Sequence, residues 1–181
     1  MDIRRSEATS PQDDADKFGD GGDEGADQNH RMRRHAKEPP QTTLSLLKRD
    51  LNLYIPLRAT YLAESTMGGI TYSKQSKHAG NANILVKRKG QALPHPAKIV
   101  YILQVEQEIV MLVQYHLELP PQIHNPFCDY PVFETSIWDV NLSQLFAIRL
   151  TQIVSHFAEL RTTQENNEVV FAISLSRVSS S

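Results

Sequence analysis

The chain has 181 residues, a formal net charge of −2 and a single cysteine, Cys128. That length suits one domain with one hydrophobic core, a lone cysteine excludes an internal disulfide framework, and the near-neutral total excludes a general polyanion binder. The longest strongly apolar stretch, around 109–113, falls far short of the about 20 residues needed to span a bilayer, so no membrane contact is expected.

The opening residues have no apolar run, so no secretory signal is expected and the chain is read as soluble and intracellular. Residues 1–41 are polar and rich in Asp, Gly and Gln, with too little apolar surface to offset the entropy of ordering. They are read as a disordered charged tail. From Asp2 to Asn29 it carries nine acids against three bases, and the sign then flips in the block 31–37, Arg-Met-Arg-Arg-His-Ala-Lys. Such a block is a nuclear-import or nucleic-acid-binding signal of low specificity.

Residues 42–55 form a short helix and linker. Leu44, Leu47 and Leu51 share one face, Thr42 or Thr43 is placed to cap the start, and Asn52 and Pro56 end it. From 57 to 178 the pattern is that of a β-rich domain. Strands are predicted at 57–63 and 70–73 around a Gly68-Gly69 turn, at 83–87, at 97–105 and 108–117 around Glu106-Gln107, at 132–140, at 145–148 and at 169–175. A proline-rich loop occupies 120–131. One helix is predicted at 150–160, because Leu150, Ile153, Val154, Phe157 and Leu160 fall on one helical face. Many short strands separated by regular turns predict a mainly β fold, a small, partly open β-barrel with one short amphipathic helix near the C-terminus.

Catalytic chemistry is hard to find. There is no glycine-rich phosphate loop, nucleophile elbow or paired-cysteine zinc pattern. His116, His124 and Cys128 lie within thirteen residues, but a structural zinc takes four ligands, so no metal is expected. Cys128 sits in a proline loop rather than at a helix N-terminus that would favour its thiolate, so it is not read as a nucleophile with His116, His124 or His156. The expectation is a non-enzyme with no catalytic residue, no cofactor and no small-molecule substrate.

Charge along the folded region is more informative. From Ser65 through Val105 there is no acid, while Lys74, Lys77, Lys87, Arg88, Lys89 and Lys98 fall in that window; from Glu106 onward nine acids face three arginines. The six cations are the candidate nucleic-acid-binding residues, since a basic face binds phosphates by counterion release, and Tyr72 and Tyr101 are near enough in sequence to stack on bases. The bland alternative is a solvated face that pairs with the acidic half. A second candidate surface is the proline-rich loop, with Ile123, Phe127 and Tyr130 as anchors for a protein partner.

Three segments taken together, Lys77-His78-Ala79-Gly80-Asn81, Pro96-Ala97-Lys98-Ile99 and Ser155-His156-Phe157-Ala158, resemble a β-rich C-terminal region of fungal, basidiomycete-type proteins associated with transposable elements. The resemblance covers about residues 57–178 and brings no catalytic residue with it. The strand order is also similar to a bromo-adjacent-homology barrel, with Lys98-Ile99 and Val113-Gln114-Tyr115-His116 in the places of two of its strands. The resemblance implies a non-catalytic interaction module of a mobile-element-derived protein, placed in the nucleus, with DNA or chromatin as partner. Alternatives are a protein–protein module using the loop 120–131, or an inactive remnant.

Overall fold

The computed structural model describes residues 40–53, 59–130 and 134–175. Residues 1–39 of the expected tail, its basic block and the predicted strand residues 57–58 and 132–133 lie outside them, and Gln41, assigned to the tail, instead opens the first helix. The described chain is mainly β, a strongly curled half-barrel sheet, as the sequence pattern predicts.

Helix α1 (Gln41–Leu51) comes first, and Asn52 ends it in the left-handed conformation, its N–H returning to the carbonyls of Leu47 and Lys48. Strand β1 (Ala59–Leu62) is followed by a separate hairpin, β2 (Glu64–Met67) with β3 (Ile70–Ser73). Gly68 and Gly69 both have positive φ, the backbone a two-residue hairpin turn needs. A short helical turn α2 (Ala79–Ala82) leads into β4 (Asn83–Val86), then β5 (His95–Val105), β6 (Glu108–His116), β7 (Thr135–Asp139), β8 (Leu142–Arg149), β9 (Ile153–Gln164) and β10 (Asn167–Ser174).

The main sheet runs β7-β10-β9-β4-β5-β6-β8, all neighbours antiparallel, with β1 beside β4 on the same side of β5. A register shift between Ile99 and Tyr101 bends β5 at the junction, and such irregularities sharpen twist. The two end strands of the sheet meet at a corner. Leu117, just past β6, accepts from the Asp139 N–H and donates to the Asn141 carbonyl.

Here the structure corrects the sequence reading. Residues 150–160 are not a helix: a single 3-10 turn, Leu150–Gln152, passes into β9. A register shift opposite Leu85 and Val86 sets Ile153 and His156 beside Val86 and Ile84 on the main-core face, while Phe157 packs with Leu85 on the other face and Val154, Ala158 and Leu160 are exposed. β-branched residues at 153, 154, 162 and 163 favour extended backbone, and β10 supplies a register of paired residues from Phe157 to Gln164. The one helix longer than a turn among the described residues is α1, at the other end of the domain. No described helix is long and apolar enough to cross a membrane.

The concave face gathers Ile84, Val86, Ile99, Ile102, Met111, Val113 and Ile148 into the main core. The opposite face of β5, β6 and β8 is covered by α1, whose Leu47 and Leu51 pack on Leu103, Val110, Leu112 and Ala147. Asp50 at the end of α1 accepts the Ala147 N–H at 2.8 Å, and Arg49 donates to the Leu145 carbonyl at 3.1 Å. These bonds satisfy backbone groups on β8, a strand whose outer edge pairs with no strand among the described residues. Leu47 is fully buried, so Leu47→Ala is expected to lower unfolding free energy by about 2–5 kcal/mol. A denaturant titration with a change below about 0.5 kcal/mol, the level of an ordinary surface substitution, would show that α1 is not part of the core.

Candidate functional site

Strand β4 pairs with β9 only through His156, whereas β9 runs on to Gln164 with β10 on its other side. Before Asn83 the chain turns away as α2. A wedge is left between α2 and the continuing β9, a cleft of ≈ 730 Å³ with Lys98 and Glu159 in its wall.

Lys98 was expected on an exposed basic face, but the structure buries it at 2% exposure. It pairs across the sheet with Asn83, and its ammonium lies 2.9 and 2.7 Å from the two oxygens of Glu159. The same carboxylate accepts from Asn83 Nδ2 at 3.2 Å and from Arg161 Nε at 2.6 Å. Burial pushes the Glu159 carboxyl up, but the hydrogen bonds from Lys98 and Arg161 outweigh it and hold it below its ordinary value. Beside this network His156, expected on a helix, stacks on buried Tyr72 with centroids 4.9 Å apart and donates from Nε2 to the Asn81 carbonyl. His78 Nδ1 accepts the Asn81 N–H and so caps α2. A Cβ at Gly80 would stand 3.3 Å from the His78 ring, a tight contact against the capping side chain.

Each of the three sequence segments singled out above therefore reaches this cleft: Ala79, Gly80 and Asn81 from the first, Lys98 from the second, His156, Phe157 and Ala158 from the third. Asn83, Glu159 and Arg161 were missed. Their one sequence signal is that Glu159 is the sole acid between Asp139 and Glu165, inside a run that otherwise reads as apolar and polar-neutral.

The remaining cations separate. Lys77 pairs with Glu64 on β2, and Lys74 is half-buried near the same end. Lys87, Arg88 and Lys89 follow the other end of β4, about 13 Å away by the rise of a four-residue strand. The Lys87 N–H donates to the Gln152 carbonyl at 2.8 Å, and Gly90 closes the turn with positive φ. Arg88 is laid over the Tyr115 ring, 4.7 Å from its centroid, while Lys87 and Lys89 are exposed. Of the two tyrosines proposed for stacking, Tyr72 is used internally and Tyr101 is exposed, edge-on to Tyr61.

In the loop 120–130, Phe127 turns inward onto Phe171 with centroids 5.2 Å apart, and Ile123 is half-buried. Only Tyr130 of the three expected anchors projects, at 59% exposure. Of the three residues weighed and set aside as metal ligands, His116 is withdrawn. It sits buried on β6, donating from Nδ1 to the Asp139 carbonyl, while the His95 ring donates to the His116 carbonyl and tilts against Trp138. His124 and Cys128 do meet, at 3.2 Å. Cys128 also faces Asp129, and desolvation with that carboxylate pushes the thiol up.

Compared with known proteins, the chain matches no family, no curated protein and no solved structure.

Two outcomes follow from the buried groups. Glu159→Leu takes from the buried Lys98 ammonium its one carboxylate partner among the described residues and should cost about 3–5 kcal/mol, whereas Glu159→Leu with Lys98→Met should recover most of it. Chemical denaturation of the two variants checks this, and equal losses would mean the pair is not a unit. Burial lowers the pKa of His95, His116 and His156, so the unfolded chain takes protons more readily than the folded one. Their contribution is complete above about pH 6.5 and is lost as pH falls through that value. Glu159, with a lowered folded pKa, adds a second loss below about pH 4.3. Denaturation midpoints that stay level from neutral to mildly acidic pH would contradict the histidine part.

Proposed function

We propose that this domain is a non-catalytic interaction module of a mobile-element-derived protein, working in the nucleus, that contacts nucleic acid through the Lys87–Arg88–Lys89 turn. The observation that carries this reading is the state of those three cations. None has a carboxylate partner among the described residues, and their turn is pinned by the Lys87 N–H and by Arg88 on Tyr115. A fixed row of unpaired cations binds a phosphate backbone with little ordering cost, and sequence-independently. The mobile-element origin rests on the resemblance of the three segments in sequence.

A second reading, a protein partner, is favoured by a different observation. From Phe157 onward one side of β9 carries no strand among the described residues, and an extended peptide adds to such an edge through main-chain hydrogen bonds. The surface at 120–130 is the weaker protein-binding candidate, because Phe127 is already used against Phe171.

Duplex DNA binding followed by fluorescence anisotropy tests the first reading. Affinity should fall steeply with salt, and Lys87→Glu with Lys89→Glu should weaken binding and lower the slope of log K against log salt by about one for each phosphate contact removed. A flat salt response, or wild-type affinity in the double variant, would sink it and leave the peptide reading as the one to pursue.

A further inference from the structure

The loop 120–130 carries a second cluster that neither reading uses. Cys128 Sγ lies 3.2 Å from His124 Nε2 and 3.6 Å from Asp129 Oδ1, and the three ligand atoms all fall within 4.8 Å of one another. We propose that His124, Cys128 and Asp129 form a three-ligand site for a divalent transition metal of the zinc type, with its fourth position open to solvent.

Distances carry the argument first. Thiolate, imidazole and carboxylate atoms bound tetrahedrally at about 2.0–2.3 Å from zinc stand about 3.5 Å from one another. The two sulfur-centred separations bracket that edge length, and the nitrogen and oxygen stand within 4.8 Å of each other, so a small side-chain adjustment closes the three around one ion. The donor set argues next. One soft sulfur, one imidazole and one carboxylate suit zinc or cobalt(II), whereas magnesium and calcium prefer oxygen alone.

Support from outside the cluster points the same way. The His124 carbonyl is held by Gln164 Nε2 from β9 at 2.7 Å, Asn125 Nδ2 reaches the Thr135 carbonyl at 3.1 Å, and Phe127 is anchored on Phe171. The ligands are therefore presented by a braced segment.

A nucleophilic Cys–His pair is the competing reading of the same atoms, and the carboxylate decides against it. In such a triad the acid orients the far nitrogen of the imidazole. Asp129 instead faces the sulfur, where a negative charge opposes a free thiolate but completes a cation's ligand set. Metal binding breaks the Cys128 S–H bond, forms a sulfur–metal bond and releases one proton to solvent.

The test uses cobalt(II) as the probe, added to the full chain under reducing, oxygen-free conditions. One equivalent should produce a thiolate-to-cobalt charge-transfer band together with the intense visible bands of four-coordinate cobalt, and zinc should abolish both. Cys128→Ser should remove the charge-transfer band. His124→Ala and Asp129→Asn should each weaken binding about tenfold or more, at least the loss expected from removing a supporting partner. Cys128 is exposed, so the serine variant leaves the core intact. No charge-transfer band in the parent protein would overturn the site. So would a parent-like spectrum in Cys128→Ser, or unchanged affinity in both other variants.

Discussion

The carboxylate of Glu159 is the point on which the site's architecture depends. It binds a lysine from β5, an asparagine from β4 and an arginine from its own strand, at the place where β4 stops and β9 continues. A charge as deep as Lys98 is tolerated only with a partner in good geometry and with its remaining hydrogen bonds met. Three neighbouring strands are thereby held at one level. The wedge beside them stays open because α2, capped by His78, turns the preceding chain away.

The cleft and the basic turn sit at opposite ends of β4, and the short strand keeps them apart. A row of cations that reads as continuous in sequence thus, Lys74 apart, becomes three different things in space. One is a structural lysine inside the sheet, one an ion pair on the β2–β3 hairpin, and one a pinned, exposed turn. Only the last retains the chemistry that composition implied. This is why counting charges along a window overstates a surface: a strand hides alternate side chains, and an acid distant in sequence neutralises what the window leaves bare.

Much of the architecture was legible in residues. The Gly68-Gly69 turn, the β5–β6 hairpin, the Leu47–Leu51 stripe and the final strand all follow from turn chemistry and apolar period. Residues 150–160 misled because Leu150, Ile153, Val154, Phe157 and Leu160 suit a helical face, whereas the strand they form is broken by a register shift before Ser155 that hides its alternation. Periodicity cannot separate the two over so short a run, and the deciding partner, β10, lies beyond it in the chain. The cleft was illegible for a related reason. Its segments were each noticed, but Lys98 and Glu159 are far apart in sequence and only the sheet's curl brings them together. Likewise His116, near His124 in the chain, faces the interior, and Asp129 takes its place beside Cys128.

Helix α1 has a consequence that reaches past packing. Through Asp50 and Arg49 it occupies backbone groups along the outermost strand β8, so it acts as a stopper against self-templated strand growth. A shortened polypeptide beginning after Leu51 would offer that rim to its own copies. It would accumulate as oligomers whose light scattering rises with concentration, and the folding of the domain and its safety from polymerisation would then share one eleven-residue element.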